Sequence, residues 1–262
     1  MRSALIGHTG FVGSNLASRA AFDEHYNTTN IASIGGEHFD LVVSAATRSD
    51  SHRINQNGAE DRAEVTSLVE SLRRASINRL VLISTVCVYP GGTSPDEDTP
   101  LTEEGLTPYG RNRLHMETEL AASFATTIVR LPQLYGDDLK KGIIYDLQND
   151  YRVEHIDPTG RFQYYDVRRL WDDIGVLLDN GVESFNASSP PIPNATVARE
   201  VFGRDISGNG AKPGGFADMY TRDMRTKHAG LFNGQDGYMT DAQSELQSIS
   251  EFVAHQSEKS DV

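Results

Sequence analysis

Ser3-Ala4-Leu5-Ile6-Gly7-His8-Thr9-Gly10-Phe11-Val12-Gly13-Ser14-Asn15-Leu16-Ala17 begins with four small or apolar residues and turns through three glycines. It then resumes with a helix-forming run that extends to Phe22. A strand that feeds a glycine turn and then a helix presents unpaired backbone N–H groups at the helix start. Those donors and the helix dipole favour an anion, and a pyrophosphate suits them. Gly7-x-x-Gly10-x-x-Gly13 is a weak signal by itself, and the strand before it and helix after it strengthen it. The competing reading is a purely structural turn.

Outward from this stretch, continuous apolar runs alternate with amphipathic ones. Phe39–Ala46, Arg79–Ser84 and Thr127–Leu131 read as strands. Glu60–Ala75 has helical period, with Val65, Leu68, Val69 and Leu72 on one face, and a second helix starts near Tyr109 with Leu114, Met116 and Leu120. This alternation predicts an α/β fold, a doubly wound parallel sheet covered on both faces. Only 26 residues separate Gly13 from Asp40, so the second strand is read as shortened or missing. Pro90–Pro108 is a loop rich in Pro, Gly and acids. Beyond residue 137 the pattern loosens into short elements at Ile143–Leu147, Gln163–Val167 and Ser184–Ala187. Pro190–Pro193 and Ser207–Gly215 read as punctuation, and Thr240–Ala254 as a last amphipathic helix docking Leu246, Ile249 and Phe252. The expected division is residues 1–137 as the phosphate-binding domain and 138–262 as a smaller substrate lobe interleaved with it.

Composition narrows the function. The 262 residues are 38% apolar and 23% charged, an ordinary globular balance. No apolar run approaches the roughly 18 residues of a membrane span, and Met1-Arg2 leads straight into the first strand, so a secreted or membrane role is not expected. One cysteine, Cys87, excludes an internal disulfide and a cysteine-built zinc site. No His, Asp or Glu spacing suggests a metal. A formal charge of −13 repels nucleic acid phosphates. The cations are nineteen arginines and only five lysines out of 24 basic residues.

Five segments in order resemble the extended short-chain dehydrogenase/reductases, the NAD-dependent epimerase/dehydratase family. They are Gly7–Gly13, Ser44-Ala45-Ala46, Ser84-Thr85-Val86-Cys87-Val88-Tyr89, Tyr109-Gly110-Arg111-Asn112-Arg113 and Val129–Gly136, with Phe185–Ser188 similar to a later segment. Within the family, Gly7-His8 and Cys87–Pro90 are most similar to GDP-fucose synthase-like members. The resemblance implies a Rossmann-type domain, NAD or NADP as cofactor, a nucleotide sugar as substrate, a cytoplasmic location and a homodimer. It assigns the cofactor to Gly7, Thr9, Gly10, Phe11, Val12 and Gly13, to Ala45, Ala46 and Thr47, and to Tyr109 and Arg113.

The resemblance also assigns chemistry: Tyr109 as acid/base, Thr85 as the hydroxyl that orients the substrate oxygen, and residue 113 as the cation. A phenol moves protons near neutral pH only if nearby charge lowers its pKa from about 10. Residue 113 is Arg where the family has Lys. Arginine keeps the charge but does not deprotonate, so it cannot relay a proton. Asn27 or Asn30 is placed near the adenosine, where no acid follows the second strand, and NAD and NADP are not distinguished. Arg48 suits a phosphate or the surface equally.

On the substrate side, Cys87 lies two residues beyond Thr85, and strand alternation puts both on one side. Its alternatives are proton exchange and simple packing. Gln133 and Arg161 are substrate contacts by resemblance, Arg161 alternatively pairing with Asp157 or Asp166, and His155 is a distant acid candidate. Lys140-Lys141 and Asp96-Glu97-Asp98 read as solvated charges. Three functions stay open: a nucleotide-sugar oxidoreductase or epimerase, a cofactor-binding regulator or scaffold, and a small-ketone or natural-product reductase.

Overall fold

Ser3–Ile6 (β1) is fully buried, which four small or apolar residues permit only between other strands. The computed structural model describes residues 1–210 and 221–260. Glu24–Tyr26 (β2) and His38–Ser44 (β3) flank β1 in parallel, and Ser76–Thr85 (β4) pairs in parallel with β3. With Thr126–Leu131 (β5) and Ser184–Asn186 (β9), the six-stranded sheet runs β2-β1-β3-β4-β5-β9. The second strand is therefore present and only three residues long.

The helices of this unit are Phe11–Ala17 (α1), Ser51–Gln56 (α2), Gly58–Arg73 (α3), Pro108–Ala121 (α4) and Leu170–Asp179 (α6). Val65, Val69 and Leu72 of α3 join Met116 and Leu120 of α4 and Val42, Leu80 and Leu82 of the sheet in one buried cluster. Truncating such a leucine to alanine costs about 2–5 kcal/mol. Thr107 starts α4: its Oγ1 accepts from Gly110 N at 3.3 Å, and Pro108 fits the first turn, where its missing N–H is not needed. Sequence periodicity does not single out α2 or α6. Asp50 caps a separate short helix α2, its Oδ1 accepting from Arg53 N at 3.2 Å, ahead of α3.

The chain forms two compact units. Met1–Pro90, Pro100–Arg130 and Arg168–Phe185 make the first; Gly91–Thr99, Leu131–Val167 and Asn186–Val262 make the second. The second contains Gln133–Tyr135 (β6) parallel to Tyr164–Asp166 (β8), and Arg161–Phe162 (β7) antiparallel to Ile192–Pro193 (β10). Ile143–Gln148 (α5), Asn194–Phe202 (α7) and Ala242–Ser260 (α8) enclose its core of Tyr135, Leu147, Phe162, Val197, Ile249 and Phe252. Pro190–Pro193, expected as punctuation, thus contributes a short strand. Of Ser207–Gly215, Ser207–Asn209 forms a 3-10 turn and 211–215 lie outside the described residues. Glu97 binds the loop Gly91–Thr99 into this unit, accepting from Asn186 N at 2.8 Å and Lys227 N at 2.9 Å.

Candidate functional site

In the first unit, β1, β3 and β4 are parallel neighbours, so their carboxyl ends share one edge of the sheet. That edge is where doubly wound sheets bind ligands. Gly7 leaves β1 with φ +84°, and a Cβ there would stand 2.7 Å from the Ala45 carbonyl oxygen beyond β3. A Cβ on Gly13 would lie 2.0 Å from the Gly7 carbonyl. Both glycines are thus demanded by the chain's own packing. Gly10 is not: its φ of −83° suits any residue, it is exposed, and a Cβ would meet only the Gly7 oxygen at 3.4 Å. What a bare Gly10 permits is close approach from outside, at the start of α1, where no side chain caps the helix. The turn's residues therefore fit a dinucleotide pyrophosphate.

Next to this turn, Thr47 has φ +116°, a conformation that a β-branched residue rarely adopts. Such strain costs about 1–3 kcal/mol and concentrates at functional positions. Sequence alone gave Thr47 a place beside the cofactor but no sign of the strain. Asn27 Oδ1 accepts from Thr29 N at 2.8 Å, and Asn30 Oδ1 accepts from Asn27 N at 2.7 Å, so both side chains shape the loop after β2. Arg48 reaches Glu64 at 3.0 Å.

At the end of β4, the strand stops at Thr85, whose Oγ1 accepts from Cys87 N at 3.2 Å and closes the 3-10 turn Val86–Val88. Cys87 therefore does not alternate along a strand with Thr85, as the sequence reading expected; it sits in the turn that the threonine caps. Helix α4 packs on this turn through Gly110, where a Cβ would lie 2.2 Å from the Cys87 oxygen. This packing brings Tyr109 to Thr85 and Cys87. Tyr109 is buried, and its backbone N–H donates to Asn55 Oδ1 at 3.0 Å.

Burial pushes the Tyr109 phenol above the usual tyrosine range, Arg113 pulls it back, the Cys87 thiol adds to the rise, and hydrogen bonding with Thr85 opposes it. Burial prevails. Arg113, one turn on, places its guanidinium carbon 4.6 Å from the Tyr109 ring centre. Its Nη1 and Nη2 both donate to the Asp61 carboxylate at 2.9 Å, and Nη2 donates also to Arg48 O at 2.8 Å. Asp61 joins this candidate site through Arg113, and sequence analysis does not single it out. The available signal was its place four residues before Val65, on the buried face of α3.

Gln133, Arg161 and His155 lie in the second unit. The Gln133 amide stands against Gly142, where a Cβ would come within 2.3 Å of Nε2. Arg161 Nη2 donates to Pro191 O at 2.9 Å rather than pairing with Asp157 or Asp166. His155 is exposed beside Glu154, 3.2 Å away. Among the described residues, no group of His, Cys, Asp or Glu is placed to hold a metal ion, and no helix is long and apolar enough to cross a membrane.

Residues 26–147 match the NAD dependent epimerase/dehydratase family. The match covers less than half of the chain. It covers Ala45–Thr47, Thr85, Cys87, Tyr109, Arg113 and Gln133, and it begins after the glycine turn. No curated protein matches the sequence. Among solved structures, MoeE5 in complex with UDP-glucose and NAD is similar at 16% identity and TM-score 0.72, covering 98% of this chain and 99% of that one. A UDP-glucose 4-epimerase from Thermotoga maritima with UDP-glucose has 14% identity and TM-score 0.74, with 99% of each chain covered. A dTDP-4-dehydrorhamnose reductase from Clostridium acetobutylicum has 14% identity and TM-score 0.74, covering 98% of this chain and 100% of its own. At such identities the likeness establishes the fold, a Rossmann-type α/β architecture, over almost the whole chain.

Proposed function

We propose that the chain is an NAD- or NADP-dependent enzyme that oxidises or reduces a carbinol carbon of a nucleotide-linked sugar or related polyol. The observation that carries this reading is the meeting of the buried Tyr109 phenol with the Thr85 hydroxyl at the carboxyl end of β4. The glycine turn lies on the same edge of the sheet. The family match over residues 26–147 and the neighbours' nucleotide-sugar and NAD complexes support it.

When bound, the dinucleotide supplies the hydride donor or acceptor. The chain supplies the rest. The backbone of Gly7–Gly13, with Thr9, Phe11 and Val12, receives the pyrophosphate. Asn27, Ala45, Ala46 and Thr47 border the cofactor. Thr85 orients the substrate oxygen, and Tyr109 holds a proton at Oη. Burial keeps that proton in place at neutral pH, so Tyr109 is prepared to donate it to a substrate carbonyl oxygen. Arg113 is assigned to the cofactor, and Cys87, Gln133 and Arg161 to the substrate, by family resemblance. A cytoplasmic homodimer is expected on the same ground.

Replacing Tyr109 with Phe tests the reading. Turnover of sugar nucleotides should vanish while cofactor affinity, followed calorimetrically with NAD, NADH, NADP and NADPH, changes by no more than a few-fold. Retained turnover sinks the assignment. A second reading, a cofactor-binding regulator that does no chemistry, is favoured by one observation: the Arg113 charge is matched by Asp61. It predicts binding of one dinucleotide pair with no turnover.

A further inference from the structure

Arg113 is 1% exposed and Asp61 5%, so their ion pair is closed off from water. A buried pair holds only when further hydrogen bonds satisfy both partners. Asp61 Oδ2 accepts one more from Asn112 Nδ2 at 2.8 Å, and the same amide donates to Gly58 O at 2.8 Å. Arg113 gives its extra bond to the Arg48 carbonyl. The guanidinium is thereby fixed from α3, from the segment after β3 and from its own helix. Its Nε, also buried, has no partner of hydrogen-bond geometry.

Among the described residues, the charged and titratable groups that act on Tyr109 are Arg113 on its own helix and Cys87 in the turn after β4. Asp61, on α3, reaches it through Arg113. A lone cation stacked on a phenol draws it toward ionisation, whereas a cation matched by a carboxylate within 3 Å does so far less. We propose that Asp61 is a positioning residue: it pins Arg113 over the Tyr109 ring and weakens the pull of its charge there. The Asp61–Arg113 pair, not Arg113 alone, then sets how readily Tyr109 releases its proton. Asn112 serves as the clamp on Asp61. This rests on the reading of Tyr109 as the proton-carrying group, but its test needs no turnover.

The experiment is titration of the phenolate absorbance of the full-length, cofactor-free protein, with the Tyr109 signal isolated by subtracting a Tyr109→Phe counterpart of each variant. Asp61→Asn should lower the pH at which Tyr109 ionises by about 1–2 units, and Asp61→Glu should return it toward the wild type. Asp61→Asn/Arg113→Gln removes both charges and keeps polar groups, and should titrate within about half a unit of the wild type. An Asp61→Asn curve that superimposes on the wild type overturns the proposal. So does a double variant whose Tyr109 ionises clearly above the wild type, because Asp61 would then not have weakened the pull of Arg113. If Asp61→Asn does not fold, the double variant decides. Failure of the enzyme reading shows elsewhere, as absent dinucleotide binding or turnover in the wild type.

Discussion

Arg113 and Glu117 stand four residues apart on α4, and each anchors a buried ion pair, yet the two pairs are wired differently. Glu117 accepts from Arg130 Nε and, at 2.8 Å, from Arg130 Nη2, and also from the Ser84 hydroxyl. Arg130 Nη1 donates to Tyr89 Oη at 2.7 Å. Burial works against the Arg130 charge, but Glu117 and Tyr89 outweigh it and hold the group above its ordinary range. Each nitrogen of that guanidinium has a partner, and the network ties α4 to β4 and β5. The Arg113–Asp61 pair instead leaves Arg113 Nε without a partner of hydrogen-bond geometry and lies against the Tyr109 ring. One network is closed on every guanidinium nitrogen, and the other is left open beside a buried phenol.

The strongest way to break this contrast is Glu117→Ala. It strands Arg130 as a buried charge, and about 3–5 kcal/mol of stability should be lost in urea unfolding. A loss near zero would mean that water enters the network freely. Thr107→Ala sharpens the comparison from the other end of α4. Losing the cap should cost about 1 kcal/mol and speed amide exchange in the first turn, around Tyr109, while leaving the Glu117 network protected. The smallest effect belongs to Arg73→Ala. Arg73 of α3 reaches Glu119 of α4 at 2.8 Å, joining the same two helices as the Asp61 pair, but both side chains are partly exposed. Its unfolding midpoint should be indistinguishable from the wild type.

The sheet's central strands and the glycine turn were legible because each depends on local pattern: apolar runs, period and glycine spacing. Motif order singled out Thr85, Tyr109 and Arg113, and the structure brings these three side chains together. Asp61 was not legible, because its partner is 52 residues away and no spacing rule links the two. A carboxylate on the apolar face of α3 was nonetheless a visible anomaly, since a buried acid requires a partner. Helix α6 escaped for another reason. Leu170–Asp179 has its own amphipathic pattern, but it follows short strands that loosened the surrounding rhythm. The strained Thr47 could not be read at all, since threonine gives no hint of a positive φ.

The chain passes between its two compact units after Pro90, Thr99, Arg130, Val167 and Phe185. Neither unit can therefore be released by a single cut. A fragment ending at residue 130 would lack α6 and β9, leaving β5 as a bare edge whose free N–H and C=O groups invite pairing with another chain. Gene fusions or domain swaps that treat the N-terminal half as a transplantable cassette would thus carry an aggregation hazard, unless they also bring Arg168–Phe185.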